Sequence, residues 1–372
     1  MRIGILSSNY PPHPGGLEVM VRALASHLAQ RHEVVVVASA WDGQAGVNRE
    51  DGVEVHRLPS LHVTERLGVP YPTPAGPGLP AALRALATCD VLHSNGALYA
   101  CTLLARACAA RFRKPLVLTE HVGFVNYRSG AINAIQRAAW RLIGDGSIAA
   151  AAGVATYNAR VQRWLQARHP GREIRNIDNG VDTASFRPRT PPERLELRQK
   201  LGLPASRVLA LVAARKSEKK NFEAILELDR AGFDLVVCGW QRGLRERNVV
   251  DLGALPHAQM PDLLGCVDLL LHPASGEGFP LSVQEAMASA LPVALLWDEG
   301  YAPAIDRSLV HSFDTLAQLP ASLSALVGDA ALRASIGAKA RAHALLQWSW
   351  TRTAAQYEAL YAEALERSGR HG

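Results

Sequence analysis

Short apolar segments rich in β-branched residues alternate with amphipathic segments along almost the whole chain, and this alternation occurs in two series. The first series contains six strand-like runs, from Ile3–Ser7 to Val154–Asn158, and the second contains five, from Val208–Ala214 to Pro292–Leu296. Strands that alternate with helices predict a parallel sheet with crossover helices on both faces. We therefore expect an α/β protein with two doubly wound, Rossmann-like domains.

The length of the chain also favours two domains. A single core rarely grows beyond about 250–300 residues, and the chain has 372. A break is predicted near Asn179-Gly180-Val181-Asp182, before the proline- and charge-rich stretch Phe186–Glu193. Asn-Gly favours a turn, and prolines interrupt regular structure. The predicted domains are therefore residues 1–178 and 179–349.

Composition excludes several classes of protein. The longest apolar runs, such as Val208–Ala214, are far shorter than the roughly 18 residues that a membrane span needs. The apolar start Met1–Leu6 turns polar at Ser7, which is typical of a strand rather than of a signal peptide. The five cysteines form no CxxC pair, so neither a disulfide framework nor a thiolate zinc site is expected. We expect a cytoplasmic protein.

Several motifs of other α/β enzymes are missing. The sequence has no GxGxxG, which disfavours a dinucleotide-dependent dehydrogenase, and no GxxxxGK[ST] phosphate-binding loop. It also has no HExxH, no GxSxG and no Asp-x-Asp pair that would hold a metal ion against a diphosphate. The expected chemistry therefore needs neither a nicotinamide cofactor nor a bound metal.

Two candidate groups lie in the first domain, at the carboxyl ends of predicted strands, where open α/β sheets bind ligands. Gly15 and Gly16 follow the first strand and open a helix, and His121 ends the fifth strand within Thr119-Glu120-His121. Adjacent glycines allow a ligand to approach the backbone, and a helix start offers free N–H groups to a phosphate or a crowded sugar. An ordinary βα turn and a packed core histidine are the alternative interpretations.

Two further groups lie in the second domain. Arg215 and Lys220 follow the strand Val208–Ala214 and would neutralise a diphosphate, unless they belong to a solvated turn. Glu277 and Glu285 follow a later strand, and Glu285 falls on an otherwise apolar helix. A carboxylate there needs polar partners, which the hydroxyls of a sugar or ribose would supply. The alternative is a helix-capping Glu277 and an internally paired Glu285.

With these motifs the sequence resembles the retaining GT-B fold glycosyltransferases of family 4, which use nucleotide-sugar donors. The resemblance covers nearly the whole chain. It rests on PPHPGGLE (11–18), TEH (119–121), NGVD (179–182), Arg215 with Lys220, and the pair Glu277 and Glu285 with seven residues between them. The last spacing, inside EGFPLSVQEA, is the most specific.

The resemblance implies a role for each group. Arg215 and Lys220 would hold the diphosphate and stabilise the leaving nucleotide, Glu277 would bind hydroxyls of the transferred sugar, and Glu285 would bind the ribose. His121 would contact the sugar near the reacting centre. The residues expected to act in catalysis are His121, Arg215, Lys220 and Glu277, and those expected to bind the donor are Gly15, Gly16, Arg215, Lys220, Leu255, Glu277, Gly278, Phe279, Leu281, Ser282 and Glu285.

The resemblance also implies an organisation. Residues 1–178 would form the acceptor side and residues 179–349 the nucleotide-sugar side, with a cleft between the domains. The helical segment 350–367 would pack back on the first domain. The implied reaction moves a hexose to a hydroxyl acceptor in the synthesis of cell-envelope glycans, glycolipids or related glycoconjugates, without a metal or other cofactor.

Some residues depart from the family pattern. Asn221 stands where a glycine is expected after Lys220, and Trp297-Asp298-Glu299-Gly300 replaces a glycine-rich turn. These positions shape the donor pocket, so both UDP-sugars and GDP-mannose remain candidate donors. A nucleotide-sugar 2-epimerase and a catalytically degenerate nucleotide-sugar-binding scaffold remain alternative functions.

Charge is distributed unevenly along the chain. Residues 1–186 carry 19 Lys and Arg against 13 Asp and Glu, whereas residues 187–372 carry 21 of each. In the first half, Arg128, Arg137 and Arg141 follow His121, and Trp140 is expected beside the last two on one face of a helix. A basic amphipathic helix can lie on a lipid surface. We therefore expect an acceptor that is anionic or carried on an anionic membrane or lipid, with ordinary surface composition as the alternative.

Overall fold

A computed structural model describes residues 1–41, 43–61, 72–74, 76–127, 129–214, 218–239, 243–302 and 304–369. The chain divides into two compact units. Unit 1 consists of Met1–Asp178 and Trp350–Gly372, and unit 2 consists of Asn179–Ser349. Each unit contains a largely parallel sheet with helices on its faces, which confirms the predicted α/β class with two doubly wound domains.

Unit 1 is built on an eight-stranded sheet. Its strands and those of a separate two-stranded ribbon are β1 (Arg2–Leu6), β2 (Glu33–Ser39), β3 (Gly46–Glu50), β4 (Val53–Leu58), β5 (Ser60–Leu61), β6 (Thr73–Pro74), β7 (Val91–Asn95), β8 (Leu116–Thr119), β9 (Gly153–Thr156) and β10 (Arg175–Asn176). The sheet order is β10-β9-β8-β7-β1-β2-β4-β3, and β5 pairs with β6. All neighbours in the large sheet are parallel except β3 and β4.

Helices cover both faces of this sheet. They are α1 (Gly16–Leu28), α2 (Leu79–Ala87), α3 (Ala100–Phe112), α4 (Gly130–Ala139), α5 (Asp145–Ala150) and α6 (Ala159–Arg168). Alternate residues of β2 serve the two faces, as the period of two in a strand requires. Val34 and Val36 belong to the core that includes α1, whereas Val35 and Val37 belong to the core that includes α2 and α3.

Unit 2 contains a six-stranded, fully parallel sheet. Its strands are β11 (Val208–Ala213), β12 (Phe233–Cys238), β13 (Val249–Gly253), β14 (Leu269–His272), β15 (Val293–Leu296) and β16 (His311–Phe313). They lie in the order β13-β12-β11-β14-β15-β16. Its helices are α7 (Pro191–Lys200), α8 (Phe222–Leu226), α9 (Met260–Cys266), α10 (Leu281–Ala288), α11 (Leu319–Gly328) and α12 (Ala330–Gln347).

Helix α8 is shorter than its sequence suggests. The apolar pattern predicts a helix over Asn221–Ala231, but the helix ends at Leu226. The guanidinium of Arg230 donates to the carbonyl oxygen of Leu226 at 2.7 Å, and the Asp229 carboxylate accepts from the N–H of Ala231 at 3.0 Å. These side chains form hydrogen bonds with backbone groups that would be paired with each other in a longer helix.

The last helix, α13 (Trp350–Gly369), belongs to unit 1 and packs against α1, β8 and β9. Its buried residues recur every three or four positions, as expected for one apolar face. Two tyrosines fix it to the sheet: the Tyr361 hydroxyl lies 2.8 Å from Nδ1 of His93, and the Tyr357 hydroxyl lies 3.0 Å from Oγ1 of Thr119. The buried residues are Trp350, Thr353, Ala354, Tyr357, Leu360, Tyr361 and Ala364.

The predicted arrangement of the basic helix is wrong in one respect. Trp140, expected beside Arg137 and Arg141 on the exposed face, is fully buried and packs edge-on against Trp164 at 4.6 Å between ring centroids. The chain forms a π-helical turn over Trp140–Gly144, which adds a residue to the turn and changes the helix register. Gly144 leaves room for the indole, because a Cβ there would collide with it.

Candidate functional site

Three polar side chains of unit 2 meet at the carboxyl edge of its sheet. Lys220 Nζ lies 2.6 Å from Oε1 of Glu277, and Nε2 of His272 lies 3.1 Å from the other carboxylate oxygen. His272 ends β14, Lys220 ends a 3₁₀ turn after β11, and Glu277 lies in the turn before α10. Neighbouring parallel strands thus bring together residues 57 positions apart in the chain, as the sequence predicts for Lys220 and Glu277.

The carboxylate of Glu277 is held in its charged form. Burial alone would raise its pKa, but the hydrogen bond with His272 and the charge of Lys220 outweigh burial and lower the pKa to about 2. Burial also lowers the pKa of His272, which keeps that imidazole neutral near pH 7. The cluster therefore presents one ammonium and one carboxylate, a combination that can bind both a phosphate oxygen and a hydroxyl group.

The residue after Lys220 explains one departure from the family pattern. Asn221 has φ +49° and ψ +41°, the left-handed conformation that favours glycine. Asparagine adopts it more readily than most residues, and its side-chain amide donates to the carbonyl oxygen of Pro273 at 2.7 Å. Asn221 therefore supports the same backbone turn. Arg215, the second predicted cation, lies outside the described residues.

Glu285 is paired within the protein. It lies on α10 and is 3% exposed, and its Oε1 lies 2.5 Å from Nε2 of His257. Burial raises the pKa of Glu285, and the contact with His257 acts in the opposite direction. The imidazole of His257 is 40% exposed. His257 therefore covers the carboxylate on its solvent side, where a ribose is expected to bind.

The turn between Glu277 and α10 places backbone groups at a helix start. Pro280 is the N-cap of α10 and makes no side-chain cap, so the N–H groups of Leu281 and Ser282 lie at an uncapped helix N-terminus. Phe279 is buried, with its ring 5.3 Å from that of Tyr301 and 5.5 Å from that of Trp348. This packing fixes the turn that holds Gly278. Leu255 is half-buried between β13 and the 3₁₀ turn that carries His257.

In unit 1, both ring nitrogens of His121 have a partner. Nδ1 lies 2.7 Å from the Tyr157 hydroxyl, and Nε2 lies 3.0 Å from Oδ1 of Asn95. Because the amide oxygen only accepts, Nε2 carries the proton and Nδ1 accepts from Tyr157. Burial, with a smaller effect of His93, lowers the pKa of His121 to about 3. His121 is therefore a neutral, oriented imidazole.

The neighbour of His121 has a structural role. The Glu120 carboxylate accepts from the N–H of Ala97 at 2.8 Å, that of Val122 at 3.1 Å and that of Gly123 at 3.0 Å. It thus connects the loop after β7 with the loop after β8. These bonds stabilise the backbone that carries His121.

Gly15 and Gly16 lie at the start of α1, as predicted. Gly15 is the N-cap, and a Cβ at this position would collide with Oε2 of Glu18 in the first turn of the helix. Position 15 therefore requires a glycine, because the Glu18 carboxylate fills the space that a side chain would occupy.

Several residues near these groups were not singled out from the sequence. His272 and His257 pair with the two predicted glutamates, and Asn95 and Tyr157 hold His121. Asn95 and His272 end strands on the ligand edge of their sheets, so their position along the chain could have indicated them. His257 and Tyr157 carry no comparable pattern.

Two family models match this chain. Residues 14–185 match the family model described as Glycosyltransferase Family 4, and residues 193–308 match the one described as Glycosyl transferases group 1. A GDP-mannose-dependent alpha-mannosyltransferase of Mycolicibacterium smegmatis is 28% identical over 79% of each chain. A D-inositol 3-phosphate glycosyltransferase of Xylanimonas cellulosilytica is 27% identical over 95% of this chain and 93% of its own.

Solved structures share the fold over nearly the whole chain. The sucrose-phosphate synthase of Thermosynechococcus elongatus superposes with a TM-score of 0.78, at 17% identity, over 98% of this chain and 99% of that one. Anabaena HepE in complex with UDP-glucose superposes with a TM-score of 0.73, at 18% identity, over 99% of this chain and 100% of that one.

Proposed function

The chain belongs to the family 4-like glycosyltransferases of GT-B fold and is a hexosyltransferase, and we propose that it transfers its hexose from a nucleotide-diphosphate sugar with retention of anomeric configuration. The observation that carries the proposal is the cluster of Lys220, Glu277 and His272 in unit 2. It offers a cation to a diphosphate and a fixed carboxylate to sugar hydroxyls.

GDP-mannose is the donor that we propose first. Relatives of this chain in Mycolicibacterium smegmatis are named GDP-mannose-dependent mannosyltransferases, and one of them acts on a phosphatidylinositol monomannoside. UDP-glucose is the second candidate, since a structural neighbour was solved with it. The acceptor that we propose is the hydroxyl of a sugar or of a lipid-linked glycan.

The proposed mechanism is electrostatic. As the bond from the anomeric carbon to the phosphate oxygen breaks, positive charge develops on the sugar and negative charge on the diphosphate. Lys220, with Arg215, would stabilise the diphosphate, and the uncapped start of α10 would add its N–H groups. The acceptor oxygen would form the new bond on the face that the phosphate leaves. The hydroxyl proton would pass to the departing phosphate oxygen.

Each carboxylate has a separate task in this proposal. Glu277, ionised and fixed by His272 and Lys220, would accept hydrogen bonds from hydroxyls of the hexose. Glu285 would accept hydrogen bonds from the ribose hydroxyls. His257 would first have to move away from the carboxylate, or to rotate so that one carboxylate oxygen becomes accessible. Neutral His121 would bind a sugar hydroxyl only by giving up one of its two partners. Its Nε2–H would then donate to the sugar instead of Asn95, or its Nδ1 would accept from the sugar instead of Tyr157.

We propose that catalysis needs no metal or other cofactor. Among the residues that the structure describes, no group of three His, Cys, Asp or Glu could hold a metal ion. Lys220 would supply the positive charge that a bound diphosphate needs. This arrangement supports charge stabilisation by side chains rather than by a divalent ion.

An anionic membrane is the proposed surface on which the acceptor is met. On α4 and the π-helical turn after it, Ile132 is 48% exposed, Ile135 70% and Leu142 82%, and Arg137 and Arg141 are exposed beside them. Exposed apolar side chains interleaved with arginines favour the interface of an anionic bilayer. In the described part of the chain, no helix is long and apolar enough to cross a membrane. We therefore propose peripheral contact at the inner face of the plasma membrane.

Product analysis tests the proposed activity. The full chain is incubated with GDP-mannose or UDP-glucose, with and without lipid extract as acceptor, and the products are separated. A glycosylated product with an α-linkage from an α-configured donor supports the proposal. Conversion of the donor sugar without an acceptor would identify an epimerase. Thermal stabilisation by a nucleotide sugar without any product would instead identify a scaffold.

A further inference from the structure

We propose that Thr119 and Tyr357 are positioning residues for His121, because together they hold the ends of β7 and β8 in the arrangement that this imidazole needs. The inference rests on the proposed function, in which neutral His121 binds a hydroxyl of the sugar. It deepens that function, since it gives the last helix, α13, a part in the reaction. Thr119 and Tyr357 would act through His121 and would not touch the sugar themselves.

Two cross-strand pairs of polar side chains lie next to each other on one face of the unit 1 sheet. In the first pair, Nε2 of His93 on β7 lies 2.8 Å from Oγ1 of Thr119 on β8. In the second pair, two residues further along the chain on each side, Oδ1 of Asn95 lies 3.0 Å from Nε2 of His121. Side chains two positions apart in a strand point to the same face, and Asn95 is the direct neighbour of Thr119 in the strand register. The two pairs therefore share the same stretch of backbone.

Helix α13 completes the first pair. The Tyr361 hydroxyl lies 2.8 Å from Nδ1 of His93, and the Tyr357 hydroxyl lies 3.0 Å from Oγ1 of Thr119. Burial lowers the pKa of His93 to about 3, so this imidazole is neutral near pH 7, donates at one ring nitrogen and accepts at the other. It can thus bond with Thr119 and Tyr361 at the same time. All four side chains are buried, and each has a hydrogen-bond partner.

The attachment of α13 to the sheet does not by itself require these polar groups. The helix already buries apolar side chains, among them Trp350, Ala354 and Leu360, in the core that it shares with α1. Four buried hydrogen-bonding side chains are costly unless each is paired, and a fully paired network fixes one geometry more strictly than apolar packing does. The network therefore defines where the ends of β7 and β8 lie, as well as where the helix lies.

The second pair is held less completely than the first. Tyr157 donates to Nδ1 of His121, but Nδ2 of Asn95 is buried and has no hydrogen-bond partner among the described residues. The orientation of Asn95 depends accordingly on the backbone that carries it. Because His93 and Thr119 fix that backbone, they also determine where Asn95 can hold His121.

Steady-state kinetics of substituted chains test this role. Thr119→Val keeps the branched shape of the side chain and removes its hydroxyl. Turnover is measured with GDP-mannose or UDP-glucose, whichever the wild-type chain uses. It should fall about tenfold at saturating donor, since a misplacement of about 1 Å can cost about a hundredfold and this displacement should be smaller. The KM for the donor should change little, because the proposed donor contacts in unit 2 are not altered.

Thr156→Val is the matched control. Thr156 ends the neighbouring strand β9 and is as deeply buried as Thr119, but its Oγ1 has no hydrogen-bond partner among the described residues. The same substitution there removes a hydroxyl that takes no part in the network. Turnover in Thr156→Val should therefore stay close to that of the wild-type chain.

The ¹⁵N NMR spectrum of His121 provides a readout that needs no substrate. In Thr119→Val the Nε2 and Nδ1 resonances of His121 should shift, because the bond with Asn95 changes, whereas Thr156→Val should leave them in place. Tyr357→Phe removes the hydroxyl from the helix side of the network and should shift the same resonances. If Thr119→Val fails to fold, Tyr357→Phe decides, in both the spectrum and the kinetics.

The outcomes separate this inference from the proposed function. A wild-type chain that forms no glycosylated product would contradict the proposed function, while the effect of Thr119 on the His121 resonances would still be measured. Lower thermal stability of Thr119→Val and Tyr357→Phe, with turnover and the His121 resonances unchanged, would overturn the inference. The network would then only attach α13 to the sheet. An equal loss of turnover in Thr156→Val would overturn it as well.

Discussion

Nζ of Lys220 lies 2.6 Å from Oε1 of Glu277, so a cation proposed for the diphosphate and a carboxylate proposed for the hexose pair with each other. The pairing keeps both side chains in place, and it favours the ionised form of Glu277. A diphosphate entering the site would compete for Lys220, and hydroxyl groups would compete for Glu277. The pair thus holds both groups in position for partners of opposite kinds.

Lys220→Ala should lower turnover by about a hundredfold or more, because one preorganised electrostatic stabiliser of the leaving group is removed. The matched control is Lys219→Ala, which removes a neighbouring ammonium from the same turn. Steady-state rates at saturating donor provide the measurement. Wild-type turnover in Lys220→Ala would exclude this side chain from the mechanism.

Glu285→Gln should weaken nucleotide-sugar binding while the fold is retained, because the variant keeps the volume but loses the charge of a hydrogen-bond acceptor. Thermal shift with and without donor measures both quantities in one experiment. His257→Ala provides a comparison, since it exposes the carboxylate and also removes the contact that lowers the pKa of Glu285. Unchanged donor affinity in Glu285→Gln would show that the ribose does not use this carboxylate.

Chelation should leave activity intact. In the proposed site, the charge of the diphosphate is balanced by Lys220 and Arg215 rather than by a divalent ion. Rates are compared before and after treatment with EDTA, and again after Mg²⁺ or Mn²⁺ is restored. Loss of activity with EDTA and its recovery with a divalent ion would contradict the metal-free mechanism.

His121 should stay neutral throughout the pH range of an enzyme assay. Burial lowers its pKa from 6.5 to about 3, so the folded chain does not bind the proton that the unfolded chain takes up below about pH 6.5. Stability should therefore fall as the pH decreases from about 6.5 towards 3. ¹⁵N NMR of the imidazole should report the Nε2–H tautomer at pH 5.

The control for this prediction is Tyr157→Phe, which removes the hydroxyl that donates to Nδ1. It should change the Nδ1 resonance of His121 while the ring stays neutral. A His121 resonance that titrates near pH 6.5 in the wild-type chain would contradict the predicted burial.

Much of the architecture can be read from the sequence because burial imposes strong patterns. The parallel strands appear as short apolar runs, and α13 is buried through residues spaced three and four apart, from Trp350 to Ala364. The π-helical turn at Trp140–Gly144 is different, because one inserted residue changes which side chains face the sheet. No periodicity marks that insertion in advance.

The residues of the site also fall into those that a sequence pattern marks and those that it does not. Lys220 and Glu277 follow strands, and Glu285 lies about one turn inside the helix that begins after Glu277, so their positions predict the sheet edge on which they lie. The histidine partners of the two glutamates are determined by tertiary contacts. His257, for example, lies 28 positions before Glu285 in the chain. The state of charge at Glu277 depends on those contacts and could not be derived from sequence spacing.

The chain should bind anionic vesicles better than neutral ones, through Arg137 and Arg141 together with exposed Ile132, Ile135 and Leu142. Each basic residue near an anionic bilayer contributes about 1 kcal/mol, so binding should be weak and should decrease at high salt. Co-sedimentation with phosphatidylserine-containing and pure phosphatidylcholine vesicles, at low and high salt, measures this.

The double variant Arg137→Glu/Arg141→Glu should abolish the preference for anionic vesicles, whereas Leu142→Ser should weaken the binding that persists at high salt. These substitutions separate the two parts of the surface, since the arginines attract lipid headgroups and the leucine enters the acyl boundary. Arg22 and Arg31 are exposed arginines elsewhere in unit 1 that pair with Asp51 and Glu358, so the double variant Arg22→Glu/Arg31→Glu provides a charge-matched control. Equal sedimentation with both vesicle types, or an equal loss in this control, would mean that net charge rather than the α4 surface determines binding.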